Sequence, residues 1–163
     1  MERPDPGFDE MRGPWGARPP PLTRQLSDGD SAAHKFPVTW PVIVLTASLV
    51  AGFILQHFWP PARQGVLTLA AVKEGRAYVL VSHIFLHGSL AHLVLNAIAL
   101  LQLGSIAARF FGRGARGALI FFGSFLVYGV VGGLAFLALN PHGAAVGASG
   151  AICGLWGALA RLT

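Results

Sequence analysis

Charge is what this 163-residue sequence has least of. Asp, Glu, Lys and Arg make up 12% of it, about half the share usual in soluble domains, against 53% hydrophobic residues. None of the four occurs from Phe36 to Ala62, from Ala77 to Ala108, or from Gly117 to Ala160. A helix needs roughly 20 apolar residues to cross a bilayer. The first run therefore holds one span, the third is long enough for two, and the second holds one span preceded by a loop. Four membrane helices are expected, and a soluble globular domain is excluded. Carboxylates are scarcer still, since Glu74 is the only one after Asp30. With no Asp in any span and no HExxH motif, an aspartyl protease, a zinc protease of the HExxH type and a carboxylate proton relay are all excluded. The lone Cys153 rules out an internal disulfide and reads as a small packing residue. Chemistry inside this membrane is left to Ser, His, Asn and Tyr.

Residues 1–36 differ in kind. Their "MERPDPGFDEMRGPWGARPPPLTRQLSDGDSAAHK" is rich in Pro, Gly and both signs of charge, without apolar periodicity or a signal-peptide apolar core. They are expected to form a disordered cytoplasmic tail, not a cleaved leader. The Pro19–Pro21 run fits a solvated linker or a ligand for a polyproline-binding module. The net charge of +5 raises the question of nucleic acid, but the basic residues flank the spans and form no stripe interleaved with aromatics. No nucleic-acid partner is expected; the bilayer is. With the N-terminus inside, Arg24, Lys35, Arg109, Arg113, Arg116 and Arg161 fall on the cytoplasmic side and Arg63, Lys73 and Arg76 outside, which favours that orientation. The absence of a leader and the Ala, Gly and Arg content point to a bacterial plasma membrane.

The spans are expected at about 38–59, 89–111, 118–139 and 146–162. Trp40 and Trp59 bracket the first where interfacial aromatics belong, and Pro60-Pro61 stops it. Residues 62–88 form an outer loop with amphipathic helix around Thr68 to Leu80. Spans two and four run in the same direction, so their N-terminal ends share one membrane depth. That depth collects His92 and Asn96, four apart and hence on one helix face, together with Ser149 in "GASG", Gly147 to Gly150. A serine facing a His/Asn pair suits acyl transfer: the hydroxyl attacks a carbonyl while the pair donates to the developing oxyanion. Gly143, Gly147, Gly150, Gly154 and Gly157 suit the fourth span to close packing in the centre of a bundle, against Gly129, Gly132 and Gly133 of the third.

Plainer readings stand beside these. A serine in a glycine-rich membrane helix also serves as a small residue bonded to its own backbone, and Asn96 also fits as interhelical glue. His83, His87 and His92 form H-x3-H-x4-H, with the first pair at helical spacing, which fits part of a metal or haem site. Such a site needs further ligands, usually carboxylates, which the spans lack; no metal or cofactor is expected.

"HIFLHGSLAHLVLN", His83 to Asn96, followed some fifty residues later by "GASG", resembles the rhomboid intramembrane serine proteases. His87, Gly88, His92, Asn96, Gly147, Ser149 and Gly150 fall on the family pattern, and the likeness covers roughly Trp40 to Thr163. The resemblance implies an all-α polytopic membrane protein, a rhomboid-like bundle with four of six core helices in residues 37–163. It implies Ser149 as nucleophile, with His92, Asn96 and the Ser149 amide as oxyanion hole. His83 and His87 would line the cavity and brace the loop, Gly147 and Gly150 would allow close packing, and membrane-anchored proteins would be the substrates. Tyr78-Val79 stand where the family often has Trp-Arg, and Ala108 and Phe110 where some members carry Glu-x-Arg. The family's general base, a histidine on the sixth core helix, has no counterpart here after His142. This chain by itself is therefore expected to be catalytically silent. A rhomboid-like pseudoprotease that grips membrane helices without cutting them is the alternative.

Overall fold

The computed structural model describes residues 38–161, so the tail expected at 1–36 lies outside the described residues. Helix α1, Trp40–Phe58, starts after extended Thr39 with Pro41 in its first turn, where a missing N–H breaks no bond. Pro60 and Pro61 end it and open a 3₁₀ turn, Pro60–Gly65. The first loop continues as β1 (Leu67–Thr68), α2 (Leu69–Lys73), α3 (Val79–Ser82) and a 3₁₀ turn at His83–Phe85. The amphipathic helix expected from Thr68 to Leu80 is thus two short ones. Thr68 Oγ1 caps the first by accepting from the Ala71 amide at 3.1 Å, and Gly75, at φ +80°, separates it from the second.

The second membrane run, Leu90–Phe110, is α4 (Leu90–Ala99), a π-helical turn (Leu100–Gly104) and α5 (Ser105–Phe110). Helix α6, Gly114–Leu139, begins four residues before the expected third span. Three helical runs, Trp40–Phe58, Leu90–Phe110 and Gly114–Leu139, are long and apolar enough to cross a membrane. The fourth, α7 at Ser149–Ala160, is an apolar helix of 12 residues, shorter than the span expected at 146–162. Its start is later because Ala144–Ala145 forms β2, pairing antiparallel with β1 (Leu67 opposite Ala145, Thr68 opposite Ala144), and Gly147 then turns the chain at φ +109°.

The result is an all-α polytopic membrane bundle. Its outer faces are apolar: Ile43, Ile54, Leu95, Leu119, Val127, Val131 and Leu139 are all exposed, which suits lipid and not water. Inside, Val42, Leu45 and Leu49 of α1 meet Ile84, Leu100, Phe121, Phe125, Ala151 and Leu155. Lipid tails are as apolar as leucine, so burial alone does not hold such helices together; close backbone approach does. A Cβ on Gly132 would stand 2.9 Å from Gly150 Cα, and one on Gly154 would overlap the Tyr128 side chain, so α6 and α7 touch at backbone distance. A second apolar cluster, Leu67, Ala71, Val79 and Leu137, fastens the first loop onto α6.

Candidate active site

Close approaches at Gly147 and Gly133 bring the chemistry-bearing residues together. Ser89 opens α4 as its N-cap, its Oγ accepting from the His92 amide at 3.1 Å. One turn on, Asn96 is buried, and its Nδ2 donates to the His92 carbonyl at 2.9 Å, which leaves one N–H of that amide uncommitted. Both side chains lie against Gly147: a Cβ there would stand 2.6 Å from His92 Cε1, 2.8 Å from His92 Nε2 and 3.6 Å from Asn96 Nδ2. Ser149, two residues further, is the first residue of α7 and is exposed.

The loop before Ser149 is tied to the first loop twice: by the β1–β2 ladder, and by the Gly147 amide, which donates to the His83 carbonyl at 2.8 Å. His83 is buried, and its Nδ1 lies 2.9 Å from the Val79 carbonyl. That distance is a hydrogen bond only if Nδ1 carries the proton, which leaves Nε2 bare. The same ring packs on Gly133, where a Cβ would come within 2.7 Å of Nε2. A cavity of about 380 Å³ is lined by Ser149, Gly147, Gly150, His83, Phe136 and Cys153. The structure therefore brings His83 and Ser149 to one cavity, and His92 and Asn96 to the glycine that opens it. Ser149 Oγ makes no hydrogen bond to any described residue.

The expected helical pairing of His83 with His87 is not seen. The 3₁₀ turn ends at Phe85 and Leu86 is extended (φ −90°, ψ 149°), which carries His87 off His83's face and onto His92, ring centroids 5.2 Å apart. His87 is 1% exposed, and neither ring nitrogen has a hydrogen-bond partner. Desolvation first, and the neighbouring His92 second, hold its pKa down to about 4. Burial also lowers that of His83. Above pH about 6.5 His87 is neutral folded or unfolded; as pH falls from there toward 4, only the unfolded chain takes the proton. Stability is therefore expected to be lost over that window, by at most about 3 kcal/mol for His87. Melting curves in detergent at pH 7.5 and 4.5 should show the drop, and His87→Gln should make it smaller; an unchanged difference would contradict the assignment.

Sequence reading missed Gln56. Its Oε1 accepts from the His87 amide at 2.9 Å and its Nε2 donates to the His87 carbonyl, so α1 clamps the loop immediately before α4. The available signal was an amide one turn before the end of an otherwise apolar span. Also missed was Gly52, on whose face the Phe85 carbonyl rests, a Cβ there standing 2.5 Å from that oxygen.

The helical bundle thus carries an exposed serine at a helix start, two residues after the glycine on which His92 and Asn96 pack. Residues 74–163 match the family model of the Rhomboid domain, and the chain belongs to the rhomboid family. It is 37% identical over 97 residues to "RHOMBOID-like protein 5" of Arabidopsis thaliana, a match covering 58% of this chain and 30% of that protein. It is 39% identical over 88 residues to "Rhomboid protease GluP" of Bacillus subtilis (strain 168), covering 54% of this chain and 16% of that protein. The chain thus spans less than a third of the length of either relative. No solved structure matches it.

Proposed function

We propose that this chain carries the nucleophile and oxyanion hole of an intramembrane serine endopeptidase that cleaves membrane-anchored proteins. The observation that carries the reading is the packing of His92 and Asn96 on Gly147, two residues before Ser149. In this scheme Ser149 Oγ attacks the scissile carbonyl. The oxyanion that forms is held by His92, the second N–H of Asn96 and the Ser149 amide. That amide is among the unbonded N–H groups that open α7, where the helix dipole also favours negative charge. Collapse of the tetrahedral intermediate releases the amine fragment and leaves an acyl-serine, which water then hydrolyses. Since His92 donates to the oxyanion it does not also take the Ser149 proton. The general base in this scheme is a histidine beyond Thr163, where the family pattern has it on the sixth core helix. His83 and His87 support the first loop, and Gly147 and Gly150 the close approach around the nucleophile.

We further propose residues 1–36 as a separate cytoplasmic tail, residues 37–163 as part of a rhomboid membrane domain, and a bacterial plasma membrane with the N-terminus inside. The arginines at 109, 113 and 116 and the Bacillus relative support this. A pseudoprotease that grips transmembrane helices is the second reading, favoured by the lack of any hydrogen bond at Ser149 Oγ. The deciding test is to treat the natural gene product, in proteoliposomes, with a fluorophosphonate and map the adduct by mass spectrometry. An adduct on Ser149 with cleavage of a membrane-anchored reporter is expected; retention of the reporter with neither adduct nor cleavage would transfer the case to the pseudoprotease.

A further inference from the structure

At the end of α1 opposite Gln56, the start of α1, the end of α5 and the start of α6 enclose a cavity of about 750 Å³, lined by Thr39, Trp40, Ala108, Arg109, Arg113 and Gly114 among others. It shares no lining residue with the Ser149 cavity. We infer that it is a binding site for the phosphate of an anionic phospholipid headgroup.

Charge is the first ground. Arg113 lines the cavity and Arg116 follows one helical turn later, and neither makes an ion pair among the described residues. Glu74 is the only carboxylate in residues 38–161, and it is engaged by Arg76 in the first loop at 2.7 Å. The second ground is how the arginine is presented. Arg113 is the residue before α6, with extended backbone (φ −99°, ψ 161°), it lines the cavity, and its guanidinium fork suits bidentate phosphate contact. No acidic residue occupies the first turn of α1 or α6. Thr39 also lines the cavity.

Depth is the third ground and selects a lipid over a free anion. Trp40, 56% exposed and packed on Phe122 at 6.0 Å between centroids, marks headgroup level. Val38, Pro41, Ala108 and Ala118 give the cavity an apolar wall. A free phosphate has no use for that wall, whereas the glycerol and first acyl carbons of a phospholipid fill it. Basic pockets between membrane helices suit anionic headgroups on the same physical grounds.

The test uses the purified full chain in a neutral detergent, titrated with short-chain phosphatidylglycerol, phosphatidylcholine of the same chain length, or inorganic phosphate. Melting temperature and native mass spectrometry are the readouts. Phosphatidylglycerol is expected to bind and raise the melting temperature, and the other two are not. Arg113→Gln should weaken binding about fivefold, and Arg113→Gln with Arg116→Gln by tenfold or more, at about 1 kcal/mol per arginine. Lys73→Gln, an exposed change in the first loop, should leave binding as it was. The single variant gives the reading if the double variant melts early without lipid. Equal protection by phosphatidylcholine overturns the charge requirement, equal protection by inorganic phosphate overturns the lipid, and unweakened binding in both arginine variants overturns the site.

Discussion

In a protein that also carries the general-base histidine, Ser149→Ala is expected to lower cleavage of a membrane-anchored substrate by at least about 10⁴-fold while shifting stability by no more than about 0.5 kcal/mol. The two halves of that expectation come from different observations. The side chain is exposed and makes no hydrogen bond to any described residue, so the fold gives up nothing when it goes, and alanine is a better helix former than serine. In the proposed mechanism it is the atom that bonds to substrate, so nothing replaces it. His92→Ala and Asn96→Ala should each cost about 10²- to 10³-fold in kcat, the scale of one lost oxyanion donor. The rate left in Ser149→Ala rests on the oxyanion hole and binding, so adding His92→Ala should lower it further. Cleavage assays in proteoliposomes on the four variants decide it. Full activity in Ser149→Ala would end the serine mechanism.

Gly147→Ala is expected to be severely damaging, because it fails twice. The residue sits at φ +109°, where an L side chain costs about 1–3 kcal/mol. The new Cβ would also stand 2.6 Å from His92 Cε1, inside any allowed contact. Relief requires either the His92 ring to move or the loop to withdraw, and withdrawal breaks the 2.8 Å bond from the Gly147 amide to the His83 carbonyl. A total loss of about 3 kcal/mol or more is expected, with fluorophosphonate labelling of Ser149 reduced about 100-fold in whatever protein remains folded. Gly143→Ala is the local comparison: its φ is not positive, and a Cβ there meets mainly the movable Phe136 ring. Equal melting temperatures for the two variants would contradict the account.

Much of this fold could be read from where charge is missing. The uncharged runs located α1, the Leu90–Phe110 run and α6 within a few residues, because hydrocarbon tolerates little else and the helix is the structure that satisfies its own backbone there. The convergence of His92, Asn96 and the "GASG" loop was legible for a related reason: alternating spans fix which helix ends share a depth. What could not be read was how the outer segments are joined. The β1–β2 ladder is two residues long, and Leu67, Thr68, Ala144 and Ala145 carry no alternating pattern that announces it. The start of α7 was misplaced for the same cause, since backbone pairing and the Gly147 turn took residues 144–148 out of the helix. His83 and His87 were read on one face because i, i+4 spacing assumes an α-helix, and a 3₁₀ turn followed by extended Leu86 breaks the assumption. Arg113 and Arg116 were visible only as orientation signals, because a cavity between three helix ends has no signature along the chain.

The Gln56 clamp has a consequence for which changes the molecule can survive over time. The two bonds join a side-chain amide to the backbone of residue 87, so they do not depend on the imidazole, and any residue there except proline keeps them. Position 56 has no such latitude. One oxygen must accept and one nitrogen must donate, which asparagine is a methylene too short to reach and glutamate cannot do when ionised. Hydrolytic deamidation of this one side chain, which takes up water and releases ammonia, would leave a carboxylate facing the His87 carbonyl. An aged preparation would thus release the loop beside its candidate active site through a mass change of a single dalton.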